Sequence, residues 1–435
     1  MAGWRVTSST VVTVLHDLFA TSDGERLSSP TEWAGAREAL LDRVIDLAYG
    51  GMPPAPDAVE VGLRSRGRVR RLKGEPVVSV YGVRVHVGDG HLDLGMQVIT
   101  PLRAERSTPL PVVIDPDACW WNLDDASVES FVERGVALAR FDRTEVVADP
   151  GATPGGRPLR RGGLYDLCPG TGFGALAAWA WGIHRVVDAL TFLGGDPLGP
   201  SAPEPPSPVP SAAEPPAPVP SALVPAPLDP SRVAVTGFSR GGKAALLAGA
   251  TDQRIDIVHA HASGAGGAAP FLIAGEGSEG MRVASSFPGW FGPRLDAYVG
   301  REGDLPIDQH ALLAAVMPRH LLLTCGVEDL WANPAGTAQS ALAAREVARF
   351  VGRPAAVEMR VRPGGHSHGA EEWAELLRFV SQRWLGSGHA SDAQASGGAH
   401  SAADAATAQA TGDESLWRDA TEGLEPTFAW RAPDI

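Results

Sequence analysis

The stretch Val233-Ala234-Val235-Thr236-Gly237-Phe238-Ser239-Arg240-Gly241-Gly242-Lys243, continuing into Ala244–Ala248, constrains the fold more than any other part of the chain. A short apolar run meets Gly-x-Ser-x-Gly, and an Ala/Leu helix follows with no spacer. A strand that turns so abruptly into a helix holds its apex residue in a strained backbone conformation. Glycines two positions to either side remove the side chains that would collide there. A serine at the apex projects its hydroxyl above the sheet. The helix behind it offers unpaired N–H groups and a positive dipole end, and the N–H of Arg240 is the first donor expected to face a developing oxyanion.

The surrounding rhythm supports that turn. Short apolar runs at Pro111–Ile114, Val136–Arg140, Val233–Thr236, Ile257–Ala260, His320–Cys325 and Val357–Val361 alternate with helical patterns. Such alternation marks a mainly parallel sheet covered by helices on both faces, and together with the Gly-x-Ser-x-Gly turn it leads to the expectation of an α/β-hydrolase fold. Helices are expected at Ala175–Leu193 and Glu371–Leu385, where apolar residues recur at helical spacing. An earlier helix, Thr31–Tyr49, is expected to start on Ser29-Pro30-Thr31-Glu32 as a capping box and to end at Gly50-Gly51. Val59–Leu63, Val77–Val83 and Leu92–Ile99 read as antiparallel strands between Gly-rich turns.

These elements divide the 435 residues into three parts. Residues 1–109 hold the first helix and the antiparallel strands, and residues 110–385 form the catalytic α/β domain. Residues 386–435 are an Ala/Ser/Gly/His-rich linker and a short tail with Trp417, Phe428 and Trp430, expected to dock on the body. Within the domain, 199–230 repeats Glu-Pro-Pro-x-Pro-Val-Pro and cannot form a core, so it reads as a disordered surface insertion.

A formal charge of -14 argues against a nucleic-acid surface. The basic run Arg64–Lys73 reads as solvent-facing residues on short strands. Three widely spaced cysteines, Cys119, Cys168 and Cys325, suit neither a disulfide framework nor a metal site, and Cys325 reads as a small buried residue. No membrane span is visible. Val11–Leu15 breaks at His16-Asp17 before a signal-peptide core develops, so a cytoplasmic location is expected.

A serine hydroxyl becomes an effective nucleophile when a histidine takes its proton and an acid orients that histidine. In this fold class the chain order is serine, acid, histidine. Gly326-Val327-Glu328-Asp329-Leu330-Trp331 follows a buried run and puts Asp329 in the acid position, with Glu328 beside it. Arg362-Pro363-Gly364-Gly365-His366-Ser367-His368 puts His366 on a loop before the last helix, with His368 in reserve. Asp308-Gln309-His310 imitates an acid–base pair. It precedes the Asp329 strand and reads as a cap on the helix Ala311–Met317 with a locally bonded histidine.

From about Val112 to Leu385 the chain resembles the glucuronoyl esterases of carbohydrate esterase family 15, in their bacterial branch. The resemblance rests on Phe141-Asp142-Arg143, Gly174–Gly182 (GALAAWAWG), Gly237–Lys243 (GFSRGGK), Ser263–Gly267 (SGAGG), Phe287–Phe291 (FPGWF), Leu305–His310 (LPIDQH), Glu328–Ala332 (EDLWA) and Arg362–His366 (RPGGH). It implies cleavage of esters on the carboxyl group of 4-O-methyl-glucuronic acid. It also implies that the Arg240 side chain supports the oxyanion and that Lys243 and Trp331 contact the sugar. A sugar-binding glutamate is implied too, with Glu279 preferred over Glu276. The chain departs from the family at Ala262, where members often carry an acid, so the acid role falls to Asp329. It departs again at Gly289, where a histidine is usual.

The expectation is a cofactor-free serine esterase working through an acyl-enzyme, with Ser239, His366, Asp329 and Arg240 catalytic. Its expected partner is a small-molecule or carbohydrate ester, with no nucleic acid or membrane. The alternatives are an acetyl-type deacetylase on the same residues and a non-catalytic binding protein of hydrolase fold.

Overall fold

In the computed structural model the described residues are 15–21, 24–102, 108–151, 160–194, 225–386 and 416–433. Ten strands form one sheet in the order β1-β2-β3-β5-β4-β6-β7-β8-β9-β10. They are β1 Ala58–Arg68, β2 Val77–Val87, β3 Gly90–Thr100, β4 Leu110–Asp115, β5 Ala137–Phe141, β6 Leu228–Val235, β7 Ile255–His261, β8 His320–Gly326, β9 Val357–Arg362 and β10 Arg418–Asp419. Every neighbouring pair from β5 to β9 is parallel, whereas β1–β2, β2–β3, β3–β5 and β9–β10 are antiparallel.

The two faces follow from the two-residue repeat of a strand. Val112, Ile114, Val233 and Val235 enter the larger core with helices Ala175–Gly194 and Arg240–Thr251. Val113, Ala234, Ile257 and Leu322 face the other way, onto Phe131, Trp373, Leu376 and Val380. The helices there are Asp125–Arg134 and Ala370–Trp384. Both faces of the parallel strands are therefore dry, which is why they read as unbroken apolar runs. The antiparallel strand β1 is exposed or half-exposed along its whole length, with Arg64 and Arg68 exposed and Arg66 half-buried on Ser79 and Tyr81.

Several local expectations change. The first helix is a 3-10 turn at Pro30–Glu32, an α-helix at Trp33–Val44 and a π segment at Ile45–Tyr49 that ends on left-handed Gly50. The capping box does not form: Glu32 accepts from the N–H and hydroxyl of Ser28, both at 2.8 Å, and Ser29 makes no side-chain cap. The proline-rich insertion closes earlier than residue 230. Pro225 pairs with Leu102 and β6 begins at Leu228, because Leu228 takes its place beside Leu110. Residues 195–224, and 387–415 of the linker, lie outside the described residues. The tail does dock: Trp417, Phe428 and Trp430 are buried, and the Trp430 indole N–H donates to the Leu15 carbonyl at 2.7 Å. All three cysteines are free, and Cys325 is buried.

Candidate active site

Ser239 stands between β6 and helix Arg240–Thr251 with φ 54° and ψ −119°, a conformation that L-residues adopt only under local compulsion. The compulsion is visible on both sides. A Cβ on Gly237 would lie 2.3 Å from the Gly241 carbonyl oxygen, and one on Gly241 would lie 2.2 Å from the Asp117 carboxylate. Asp117 itself accepts from the Phe238 N–H at 2.9 Å and ties the turn to the end of β4. Burial pushes its carboxyl up to about 6, with the nearby Arg143 guanidinium pulling against that rise.

His366 completes the series. Its Nε2 is 3.1 Å from Ser239 Oγ and its Nδ1 is 2.7 Å from Asp329 Oδ2. Asp329 is buried, and its other oxygen accepts from the Ala332 N–H at 3.1 Å. Glu328 works on the backbone instead. Its carboxylate accepts the Gly364 N–H, and its own N–H donates to the Gly364 carbonyl at 3.1 Å. It therefore holds the loop that carries His366.

The reserve histidine and the decoy pair lie elsewhere. His368 bonds Asn122 at 2.7 Å and stacks on Phe238, and burial drives its pKa well down. His310 bonds the His16 carbonyl, 294 residues away, rather than a local group, and burial lowers its pKa to about 3. Asp308 is no helix cap. Its carboxylate accepts from Phe271, Leu272 and Gln309 N–H groups at 2.7–2.9 Å and so clamps a loop to the helix His310–Ala314.

Arg240 is held by groups that sequence reasoning did not single out. Its guanidinium donates to Asp149 at 2.8 Å and lies 4.6 Å from the Trp290 ring centroid. Burial pushes Asp149 up, but hydrogen bonds from Arg240, Trp290 and Gly151 outweigh it and keep the carboxyl below its usual range. Trp290 was visible within the Phe-Pro-Gly-Trp-Phe motif. Asp149 lies in no motif read from the sequence.

The three residues expected to bind sugar are neighbours. Glu279, not the exposed Glu276, pairs with Lys243 at 2.7 Å, and its N–H donates to the Trp331 carbonyl. Lys243 is held by three acceptors. It is buried and directs its three N–H donors at Ser263 O, Ala265 O and Glu279. A sugar hydroxyl would have to replace one of these acceptors. Burial lowers Lys243 and raises Glu279, each partly offset by the other's charge. Trp331 is 47% exposed and offers an open aromatic surface. Among the described residues, no cluster of three or more His, Cys, Asp or Glu could hold a metal ion, and no helix is long and apolar enough to cross a membrane.

A hydroxyl, imidazole and carboxylate joined by hydrogen bonds above a mainly parallel sheet perform acyl transfer. The chain is a serine carboxylic-ester hydrolase of the α/β-hydrolase fold. It belongs to the glucuronyl esterase family: the family described as "Glucuronyl esterase, fungi" matches residues 83–199 and 221–352. The chain is 27% identical over 334 residues to a 4-O-methyl-glucuronoyl methylesterase of Podospora anserina. That match covers 75% of this chain and 58% of the Podospora protein. A Neurospora crassa protein of the same name is 27% identical over 390 residues, with 87% and 84% covered. Among solved structures, a carbohydrate esterase family 15 glucuronoyl esterase from Caldicellulosiruptor kristjansonii superposes with a TM-score of 0.67 at 27% identity. The superposition covers 89% of this chain and 95% of that one.

These relatives overturn the expected cytoplasmic location. The fungal enzymes are secreted and act on plant cell-wall polymers, which conflicts with placement inside the cell. The break in the apolar run at His16-Asp17 was too slender a basis for that expectation.

Proposed function

We propose that this chain hydrolyses esters on the carboxyl group of glucuronic acid or its 4-O-methyl derivative through an acyl-enzyme on Ser239. The observation that carries the reading is the continuous series Asp329–His366–Ser239, with contacts of 2.7 and 3.1 Å, beside the Lys243–Glu279–Trp331 cluster. Ser239 Oγ attacks the ester carbonyl as His366 Nε2 takes its proton. The tetrahedral oxyanion meets the Arg240 N–H and the Arg240 guanidinium, which Asp149 holds in place. Collapse breaks the bond to the alcohol oxygen, and His366 returns the proton to that oxygen. Water then repeats the cycle on the acyl-serine and releases the uronic acid.

The exposed Trp331 indole suits the face of a pyranose. The buried Lys243–Glu279 pair fixes the turn that carries Ser263 and Ala265. Benzyl glucuronate compared with p-nitrophenyl acetate tests the substrate. The reading expects a kcat/KM for the glucuronate ester at least about a hundredfold higher, since a built polar site discriminates strongly. Preference for the acetate would assign the same machinery to deacetylation.

A further inference from the structure

The nucleophile and the base come from segments 127 residues apart, and one buried histidine touches both. The His261 N–H donates to the Gly237 carbonyl and its carbonyl accepts the Ser239 N–H, both at 2.9 Å. Its ring Nε2 is 2.7 Å from the carbonyl of Ser367, the residue after the base. We propose that His261 is a positioning residue that holds Ser239 and His366 in register, and that a one-way chain of buried hydrogen bonds fixes its tautomer.

The direction follows from the last link. A carbonyl oxygen only accepts, so His261 Nε2 carries the proton and its Nδ1 is the acceptor. The Thr324 hydroxyl, 2.8 Å from that Nδ1, must donate to it. Having one proton, Thr324 then accepts from His259 Nε2 at 2.7 Å. His259 Nδ1 is left as an acceptor for the Thr236 hydroxyl at 2.8 Å. The chain runs Thr236, His259, Thr324, His261, Ser367, and none of its side-chain atoms lacks a partner. Reversing one link would set two donors or two lone pairs against each other.

Burial outweighs the pull of Glu372 toward an imidazolium, and Arg362 and His366 oppose that pull. Glu372 lies 4.0 Å from His261 Nε2, but it already accepts from Arg362 and from the Gly369 N–H. Arg362 also grips the Ser367 hydroxyl at 2.7 Å, and His259, His366 and His368 add no negative charge. Burial lowers the pKa of both chain histidines. Ser367 is thus held at its carbonyl by His261 and at its hydroxyl by Arg362. The Phe238 ring fills the space between, 5.4 Å from the His261 ring and 4.7 Å from that of His366.

The proposal rests on Ser239 and His366 acting as described, so its test first requires that a fluorophosphonate label Ser239 of the wild-type chain. Nitrogen-15 NMR of histidine-labelled full chain should show neutral Nε2–H tautomers for both residues, with His261→Gln and His259→Gln identifying the signals. An Nδ1–H tautomer or an imidazolium at either position at the pH of activity would overturn it. Thr324→Val should lower the labelling rate and kcat by about ten- to a hundredfold with KM changed less than about twofold. Thr324→Ser, which keeps the hydroxyl, should restore most of both. Wild-type rates in Thr324→Val would also overturn the proposal, and if that variant does not fold, the wild-type tautomers decide.

Discussion

Asp329 and Glu328 are adjacent carboxylates with unlike surroundings, and that difference assigns their work. Asp329 is buried against the His366 ring, while Glu328 grips the backbone of Gly364. An amide at Asp329 would present a donor where the imidazole N–H needs an acceptor and would favour the wrong tautomer. Asp329→Asn should therefore lower kcat by about 10⁴ with little change in melting temperature. A fall under about tenfold would show that Glu328 can take over. Ser239, His366 and Asp329, which the structure brings together, were legible because each is a residue type the proposed chemistry requires, placed at the end of a readable strand or turn. Asp149, Glu328 and His261 were not, because their importance lies in contacts 91, 36 and 106 residues away. Lys243 was legible as a residue, but the contacts that direct its donors to Ser263, Ala265 and Glu279 were not, since they depend on its burial.

At the level of elements, the C-terminal ends of β6, β7 and β8 deliver the nucleophile turn, the His261 strap and the acid to one edge. Close backbone approach makes this possible. Gly326 ends β8 directly beneath the Pro363-Gly364-Gly365 turn, and a Cβ there would lie 2.1 Å from the Gly364 carbonyl oxygen. Gly326→Ala must push that turn, and His366 with it, outward. The expected result is a loss of activity of about a hundredfold or more from displacement of about 1 Å, measured as kcat on the same ester. Unchanged kcat would mean that the loop tolerates the shift. The parallel strands were readable from apolar runs because both faces are buried. The first helix was harder: its start depends on Ser28 and Glu32 rather than a Ser29 cap, and its last turn widens into a π segment. Such geometry is set by packing, to which periodicity is blind.

At the level of the whole molecule, the tail packs against the N-terminal segment as well as the body. Trp430 is buried against Phe19 and Phe428 and bonds Leu15, while Gln339 accepts from the Thr427 N–H and donates to the Glu425 carbonyl. Trp430→Ala should destabilise the chain by about 3–5 kcal/mol, read as a lowered melting temperature, because a large buried ring leaves a cavity and an orphaned carbonyl. Activity at low temperature should persist, since none of these contacts reaches the serine. Equal stability would show the tail to be a loose appendage. The aromatic residues of the tail hinted at docking; its partner surface was hidden because it is assembled from residues near both ends and from helix Pro334–Phe350.

The chemistry requires Ser239 to be the residue that receives the acyl group. Covalent labelling with a fluorophosphonate, followed by peptide mass spectrometry and an assay of Ser239→Ala on benzyl glucuronate, tests this most directly. One adduct on the Ser239 peptide is predicted, with hydrolysis lowered by about 10⁴ or more in the variant. An adduct on another residue, or a variant that cleaves the ester at the wild-type rate, would contradict it.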